Sequence, residues 1–299
     1  AGGLLIYGIP NFKLEKEVVD RRTKRLADGG VAFKLGVDVG KDISLAKLRQ
    51  KHDAILIATG VYKSRELTTP GGNAKGVHKA LDYLIASNRV GLGIEVEDFS
   101  NGKLNAEKKN VVVIGGGDTA MDCVRTAIRQ GAKSVTCLYR RDRANMPGSQ
   151  REVANAEEEG VEFDWLAAPL AVLEKKGSGA KGVKSIRMKL GLADPSGRRA
   201  PEEIAGSDFE VKADMVIKAL GFDPEDLPGH FSEPGLTVNR WGGVKVDYRT
   251  MATSLDGVFA AGDIVRGASL VVWAIKEGRD AAAAIEQYLR AKVMRAAAE

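Results

Sequence analysis

The clearest feature of the hydrophobic pattern is an apolar run that breaks at three successive glycines. Residues 111–114 read Val-Val-Val-Ile, and a continuous β-branched run of this kind is typical of a parallel strand buried on both faces. The run ends at Gly115. Residues 119–130 then show helical spacing of apolar side chains and stop before Gly131. The pattern predicts a buried strand, a tight glycine turn and a helix.

Apolar runs and helical periodicity alternate along the rest of the chain, which predicts an α/β fold. Further strands are predicted at 31–35, 54–58, 134–139, 161–166, 213–221 and 257–263. Helices are predicted at 13–29, 44–51, 79–88, 149–159 and 269–287, with Ser44 as an N-cap and a capping box formed by Ser149 and Glu152. Residues 170–190 and 208–213 predict a β-meander, with turns at 177–182 and around 195–197.

The glycine turn matches the dinucleotide-binding fingerprint G-x-G-x-x-G/A. Gly115 permits the tight turn, Gly117 lets the main chain approach a pyrophosphate, and Ala120 allows the helix and strand to pack closely. The helix N-terminus adds free N–H groups and the positive end of the helix dipole. We therefore predict that nucleotide phosphates bind here; a purely structural turn is the alternative. The predicted contacts are Gly115, Gly116, Gly117, Asp118, Thr119 and Ala120.

The end of the next predicted strand, 134–139, indicates which nucleotide to expect. An NAD site carries Asp or Glu about 20 residues after the fingerprint, where the carboxylate binds the ribose 2′-OH. This chain instead has Arg140, Arg141 and Arg143, interrupted only by Asp142. Guanidinium groups suit a 2′-phosphate, so NADPH is favoured over NADH, with a solvated basic loop as the alternative. Asp142 could pair with one of the arginines.

Size and charge exclude several other classes of protein. The chain has 299 residues, enough for two cores, and its net charge of +5 suits anionic cofactors or an acidic protein partner. It has no basic run with interleaved aromatics, so no nucleic-acid partner is expected. No apolar segment approaches 18 residues, so no membrane span is expected. Cys123 and Cys137 form neither a C-x-x-C pair nor a metal motif, which predicts small core residues, no metal site and a reducing, cytoplasmic setting.

A second candidate site lies near the C-terminus. The predicted strand 257–263 ends in Gly262 and Asp263, and the next helix begins near Ser269. A carboxylate at a strand tip can accept hydrogen bonds from hydroxyl groups, and the N–H groups that open the following helix can face a carbonyl that gains charge. This arrangement predicts a polyol and carbonyl site. An acidic turn is the alternative.

Together these segments resemble the small (β) subunits of bacterial NADPH-dependent glutamate synthase. The resemblance covers nearly the whole chain. The middle and last motifs are specific in combination, whereas any single one is not. The residues that carry it lie at 2–10, 58–60, 115–130, 139–143, 145–149 and 260–267.

The resemblance implies two nested Rossmann-like domains of the FAD/NAD(P)-binding disulfide-reductase type. Residues 1–107 would be the first part of an FAD-side domain, 108–220 an inserted NADPH-binding domain, and 221–299 the second part of the FAD side. In this family the Thr59–Gly60 turn lies over the FAD, Asp263 contacts the flavin ribitol, and the main chain of 271–274 faces the flavin carbonyl edge. The implied FAD contacts are Thr59, Gly60, Gly262, Asp263, Val271, Val272, Trp273 and Ala274.

The resemblance also implies parts that this chain lacks. The family has a first FAD fingerprint and a cysteine-rich domain that holds iron–sulfur clusters, and both are expected to precede Ala1. We therefore expect a fragment with an incomplete FAD half-site and intact NADPH binding. The implied reaction is hydride transfer from NADPH to FAD. Electrons then pass through the iron–sulfur clusters to the large (α) subunit, which makes glutamate from glutamine and 2-oxoglutarate.

Three alternatives stay open. The first is a related NADPH flavoprotein that serves ferredoxin or reduces pyrimidines, and the second is a non-catalytic NADPH-binding or docking fragment. The third is a simple NADP dehydrogenase, which would need a catalytic residue such as histidine near the nicotinamide. All three histidines are expected in loop-like or polar stretches, at His52, His78 and His230. A thioredoxin reductase is disfavoured because the predicted insert lacks C-x-x-C.

Overall fold

The computed structural model describes residues 1–175, 179–194, 197 and 199–297. Within them the helices are α1 (Leu4–Tyr7), α2 (Lys16–Asp28), α3 (Leu45–Lys51), α4 (Ala80–Gly91), α5 (Glu97–Ser100), α6 (Asp118–Arg129), α7 (Gln150–Glu158), α8 (Leu227–His230), α9 (Asp263–Arg266) and α10 (Val271–Ala296). The strands are β1 (Ile55–Ile57), β2 (Lys63–Ser64), β3 (Val77–Lys79), β4 (Asn110–Ile114), β5 (Ser134–Tyr139), β6 (Glu162–Trp165), β7 (Ala167–Lys175), β8 (Gly179–Ala193), β9 (Arg199–Lys212), β10 (Met215–Lys218), β11 (Phe222–Asp223) and β12 (Val258–Ala260).

The described residues divide into two compact units, each built from two stretches of chain. Unit 1 comprises Ala1–Phe33 and Glu66–Gly221, and unit 2 comprises Lys34–Arg65 and Phe222–Glu299. The predicted boundary at residue 107 does not coincide with this division. Strand β3 pairs with β10 and helix α4 packs against α6, so residues 66–107 belong to unit 1. The assignment of segments to an FAD side and an NADPH side stays a prediction.

A parallel sheet forms the centre of unit 1. Its described strands lie in the order β3-β10-β4-β5-β6. Every residue of β4 is buried, as the β-branched run predicts for a central parallel strand. Val113 lies opposite Cys137 on one side and Ile217 on the other, and these side chains share a core with α4, α6 and α7. The sheet thus carries both predicted ends of the nucleotide site, the glycine turn and the end of β5.

The opposite face of this sheet is covered by the predicted meander. Strands β7, β8 and β9 form an antiparallel sheet in which Val183 pairs with Val172 and Val211. Val183 and Val172 are buried against Val112 of β4. Of the predicted turns, 177–178 and 195–196 lie outside the described residues. Residues 179–182 lie in β8.

Unit 2 contains two small sheets. Strands β1 and β12 pair in parallel, with Leu56 opposite Phe259, and β2 and β11 pair antiparallel. Leu45, Ile57 and Ile264 are central to its largest buried cluster. The predicted N-cap of α3 is confirmed, because Ser44 Oγ accepts a 3.1 Å hydrogen bond from the Lys47 N–H.

Two local predictions are wrong. The segment 31–35 forms no strand, and Val31 and Phe33 are 47% and 40% exposed. Its alternation is strand-like, but an extended segment becomes a strand only where a neighbour accepts its hydrogen bonds. The predicted capping box is also absent, since the Ser149 side chain caps nothing and the Glu152 carboxylate binds Arg125 instead.

Helix α2 begins at Lys16, three residues later than predicted.

Both cysteines are buried free thiols, as predicted for core residues. Among the described residues, no helix combines the length and the apolar character needed to cross a membrane.

Candidate functional site

The first candidate site is the glycine turn between β4 and α6. Gly115 has a φ of 145°, a region that favours glycine. A Cβ at this position would collide with the carbonyl oxygen of Ala219, which follows β10. The N–H of Gly115 donates to the Leu138 carbonyl at 3.1 Å. The turn therefore packs tightly against both neighbouring strands, and only glycine fits.

The other two glycines have different surroundings. A Cβ on Gly116 would collide with the ring of Tyr139, whereas a Cβ on Gly117 would meet no atom within 4 Å. Gly117 is the N-cap of α6, and the N–H groups of Asp118 and Thr119 that follow have no intrahelical acceptor. Open space thus lies in front of a helix N-terminus, where a phosphate group can approach. Ala120, by contrast, is fully buried against the sheet, as the fingerprint requires.

The loop formed by residues 145–149, which follows β5, is hydrogen-bonded to this turn. The N–H of Gly148 donates to the Gly116 carbonyl at 2.9 Å, and the N–H of Ser149 donates to Oδ1 of Asp118 at 3.0 Å. The hydroxyl of Tyr139 donates to the Asn145 carbonyl at 3.1 Å. Sequence reasoning missed this loop-to-turn contact, because nothing local to residues 145–149 indicates it.

The two arginines that follow β5 have free guanidinium groups. Among the described residues, neither Arg140 nor Arg141 forms a side-chain hydrogen bond or an ion pair. The Nε of Arg141 is buried and has no partner there. A buried donor without an acceptor is energetically costly, so this group is an exception to the rule that buried polar groups are paired. The carboxyl end of β5 lies beside that of β4, so these arginines follow the strand next to the glycine turn.

Arg143 and Asp142 behave differently. Arg143 Nη1 forms a 2.8 Å ion pair with Glu157 of α7. Contrary to expectation, Asp142 pairs with no arginine among the described residues, and its Oδ1 instead accepts hydrogen bonds from the main-chain N–H and the Nδ2 of Asn145 at 2.9 and 2.7 Å. Asp142 thus stabilises the loop and leaves Arg140 and Arg141 uncompensated.

The second candidate site lies in unit 2, where Asp263 follows β12 and opens α9. Its carboxyl is half-buried, and this burial raises its pKa against the opposing effect of the Ser269 N–H that donates to it. Glu277 of α10 is buried and accepts hydrogen bonds from the Gly262 N–H at 2.8 Å and from Arg266 Nε at 2.6 Å. Glu277 therefore fixes the turn that presents Asp263. Sequence reasoning did not identify it.

The start of α10 is an exposed apolar surface. Val271, Val272 and Trp273 are 45%, 59% and 41% exposed, and Ala274 is exposed as well. The Arg266 guanidinium lies 4.5 Å from the centre of the Trp273 ring. Apolar side chains grouped in this way are typical of a surface that a ligand or partner covers.

Thr59 and Gly60 follow β1 in the same unit. Thr59 is exposed, and Gly60 has a φ of 72° that favours glycine. Thr59 also lies at the rim of a cavity of about 780 Å³ in unit 2. Its wall includes Leu45, Ile57, Asp226, His230 and Phe231.

The histidines lie in elements other than β4, α6 and the turn between them: His78 lies in β3, His230 in α8, and His52 is the C-cap of α3. His230 Nε2 lies 2.9 Å from Oδ1 of Asp38. The expectation of loop-like surroundings is wrong for His78, which lies in β3. Burial lowers the pKa of His78 to about 4, with a further contribution from Lys109. Within the described ranges, no cluster of three His, Cys, Asp or Glu side chains could hold a metal ion.

Known proteins are similar in sequence to this chain over nearly its whole length. A glutamate synthase (NADPH) small chain from Azospirillum brasilense is 63% identical over 291 residues, which cover 97% of this chain and 60% of the relative. The corresponding small chain from Escherichia coli K12 is 46% identical over 292 residues, covering 96% and 61%. This chain thus spans about 60% of the length of these relatives.

Solved structures support the same fold. FprA from Mycobacterium tuberculosis, in complex with NADPH, matches with a TM-score of 0.76 and 17% sequence identity over 98% of this chain and 76% of that protein. At this identity the likeness concerns the fold, and it confirms the predicted α/β class. The model of the pyridine nucleotide-disulphide oxidoreductases matches residues 5–278. The chain therefore belongs to the pyridine nucleotide-disulphide oxidoreductase family, and its resemblance to glutamate synthase small subunits is confirmed.

Proposed function

We propose that this chain binds NADPH through unit 1, contributes FAD contacts through unit 2, and belongs to an electron-transfer subunit of glutamate synthase. The observation that carries the proposal is that the guanidinium groups of Arg140 and Arg141, which directly follow the strand next to an open glycine turn, have no acceptor among the described residues. Two cations that no side chain in the described part of the chain neutralises are suited to a 2′-phosphate, which distinguishes NADPH from NADH.

The residues of unit 1 fit a dinucleotide. The N–H groups of Asp118 and Thr119 are free to bind a pyrophosphate, and the absence of a side chain at Gly117 leaves room for it. Gly115, Gly116 and Ala120 shape the turn from behind. Arg143 has a secondary role in this proposal, because Glu157 already neutralises it.

The residues of unit 2 fit part of a flavin. Asp263 presents a half-buried carboxylate that can accept hydrogen bonds from ribitol hydroxyls, and Glu277 fixes the turn that carries it by accepting the Gly262 N–H. The main chain of 271–274 opens α10 and offers N–H donors beside apolar side chains that a ring system could cover. Thr59 and Gly60 would complete the contacts from the end of β1. Val271, Val272, Trp273 and Ala274 are the α10 residues in this proposal.

When bound, NADPH supplies a hydride donor and FAD an acceptor that can pass electrons on. The chain's own residues bind, orient and shield these groups, and no protein general base is required. Ser149 and Glu152 are not proposed as bases, because the Glu152 carboxylate is held by Arg125 at 2.8 Å and the Ser149 N–H by Asp118.

The names of the relatives support the wider part of the proposal. The parent protein would pass electrons through iron–sulfur clusters, which lie outside this chain, to the glutamate synthase large (α) subunit. That subunit would form glutamate from glutamine and 2-oxoglutarate. The proposed setting is the cytoplasm, where NADPH is available and thiols such as Cys123 and Cys137 stay reduced.

The test is the visible absorption spectrum of the purified chain, mixed with FAD and titrated with NADPH under anaerobic conditions. A bound flavin whose absorption band bleaches with NADPH, and far less readily with NADH, supports the proposal. A colourless chain that still binds NADPH favours the alternative of an NADPH-binding fragment. A chain that binds neither cofactor overturns the proposal.

A further inference from the structure

A cluster of charged side chains lies directly behind the glycine turn of unit 1. Nζ of Lys13 lies 2.7 Å from Oδ1 of Asp122 and 3.5 Å from Oε2 of Glu152. Asp122 lies one helical turn after Asp118, on the same face of α6, and Glu152 lies in the first turn of α7. One ammonium group thus connects the two helices that flank the turn and its loop.

These groups are largely removed from solvent. The side chains of Lys13, Asp122 and Glu152 are 24%, 11% and 15% exposed. Burial raises the pKa of the Asp122 carboxyl, and Lys13 opposes that effect. Burial also lowers the pKa of Lys13, but Asp122, Glu152 and the more distant Asp118 outweigh it, so the net change is upward. Lys13 is therefore held as a cation by three carboxylates.

The other nearby cations are already engaged. Arg125 binds Glu152 at 2.8 Å and Glu159 at 2.6 Å, and Arg129 binds Glu159 at 2.7 Å. Both guanidinium groups stack on the ring of Phe12, at 4.6 and 4.3 Å from its centre. In the described part of the chain, Lys13 is the cation with which Asp122 forms an ion pair.

The segment that carries Lys13 is itself anchored. Lys16 is buried, and its Nζ donates to the carbonyl of Leu5 at 3.0 Å and to that of Ile9. Nδ2 of Asn88 in α4 donates to the Tyr7 carbonyl at 2.8 Å. The main chain that carries Lys13 is therefore held in position, and this keeps the Lys13 ammonium group beside Asp122.

We propose that Lys13 is a positioning residue for the nucleotide phosphates, because it neutralises Asp122 and Glu152 behind the helix N-terminus that receives them. This inference rests on the proposed NADPH site. Without the ammonium group Glu152 would keep its pair with Arg125, but the Asp122 carboxylate would lie uncompensated about one turn behind the phosphates and oppose the attraction of the helix N-terminus. The effect acts on the pyrophosphate, which NADPH and NADH share, so it leaves cofactor selectivity unchanged.

The experiment compares the NADPH and NADH dissociation constants of the full chain and of Lys13→Met at low ionic strength. We expect both cofactors to bind about five- to tenfold more weakly to Lys13→Met, with a smaller loss in high salt. Lys13→Arg keeps the charge and should bind within about twofold of the wild type. The matched control is Lys103→Met, which removes an exposed lysine of the same unit that pairs with Asp98, and it should bind normally.

A double variant separates charge compensation from loss of structure. Asp122→Asn in the Lys13→Met background removes the uncompensated charge and should recover most of the lost affinity. A loss that persists in the double variant would assign Lys13 a purely structural role and overturn the proposal. Asp122→Asn alone keeps Lys13 and should bind NADPH at least as tightly as the wild type; weaker binding would also overturn it.

The outcomes also separate this inference from the proposed function. A wild-type chain that binds NADPH, together with unchanged binding by Lys13→Met, contradicts only the role of Lys13. A wild-type chain that binds no NADPH overturns the nucleotide site and the role of Lys13 with it.

Discussion

The main-chain N–H of Ser149 lies 3.0 Å from Oδ1 of Asp118, although 31 positions separate the two residues. Asp118 opens the helix that follows the glycine turn, where an acidic side chain would repel a nucleotide phosphate if it faced the ligand. The bond to Ser149 gives this carboxylate another partner. It also fastens the loop after β5 to the turn, together with the 2.9 Å bond between the Gly148 N–H and the Gly116 carbonyl.

Asp118→Ala is expected to release this loop. Losing one charge-assisted hydrogen bond should lower the free energy of unfolding by about 1–2 kcal/mol, measured by chemical denaturation. Amide exchange in 145–149 should become faster, and NADPH affinity should fall because the loop precedes α7 and helps to enclose the turn. Asp118→Asn is the matched control, since its Oδ1 can still accept the bond. If both variants exchange equally fast, the Asp118 acceptor does not hold the loop.

Two glycines of the turn, Gly116 and Gly117, should respond differently to a single methyl group. Gly116→Ala places its Cβ against the buried Tyr139 ring and should cost about 1–3 kcal/mol of stability. Gly117→Ala meets no protein atom, and its φ of −91° suits any residue, so stability should change by less than about 1 kcal/mol. Its methyl group nevertheless stands where the pyrophosphate approaches, and NADPH should bind about tenfold more weakly. Normal NADPH binding by Gly117→Ala would place the phosphates elsewhere.

The arginines after β5 should determine cofactor selectivity. Replacing both Arg140 and Arg141 by Ala removes two free cations and should weaken NADPH binding by at least about tenfold, with NADH binding changed less than about twofold. Arg143→Ala is the control, because Glu157 already pairs with Arg143. Titration of each variant with both cofactors measures the selectivity. Equal losses for NADPH and NADH would contradict the 2′-phosphate assignment.

The parts of the site that are contiguous in sequence could be predicted from it. Residues 111–114 and 134–139 are continuous apolar runs, and they form β4 and β5 because a central parallel strand is buried on both faces. Gly115 and Gly117 belong to one short turn. At Gly115 a side chain would collide with Ala219, which follows the neighbouring strand β10, and at Gly117 its absence leaves open space, so both requirements are visible as glycines in the local sequence.

The remaining features depend on pairs that no local pattern encodes. Lys13 and Asp122 are 109 positions apart, and the Ser149 N–H that binds Asp118 belongs to the main chain, which carries no sequence signal. The segment 31–35 shows the converse, since its alternating pattern is correct for a strand but no neighbouring strand pairs with it among the described residues. Local patterns predict what an element can be, whereas tertiary pairing decides which groups meet.

His78 should make unit 1 sensitive to mild acid. Its folded pKa of about 4 lies below the ordinary value of 6.5, so between these values the unfolded chain binds more protons than the folded chain. The stability contributed by neutral His78 is complete above about pH 6.5 and is lost as the pH falls toward 4. Relative to His78→Gln, the wild type should lose about 1–2 kcal/mol of unfolding free energy between pH 7.5 and 5. Denaturant titrations at both pH values measure this difference, and parallel losses in the two proteins would exclude His78 as the cause.

Asp263 and Glu277 should affect flavin binding in distinguishable ways. Asp263 presents a half-buried carboxylate without an ion pair among the described residues, so Asp263→Ala should lower FAD occupancy several-fold at little cost in stability, because removing a partly desolvated charge offsets the lost hydrogen bond to Ser269. Glu277→Gln instead weakens the ion pair between buried Glu277 and exposed Arg266 and should lower the free energy of unfolding by about 1–2 kcal/mol as well as FAD occupancy. Flavin content after gel filtration and denaturation midpoints of the FAD-loaded chain report the two effects separately. Full occupancy in Asp263→Ala would remove Asp263 from the flavin site and leave it a residue that only shapes the turn.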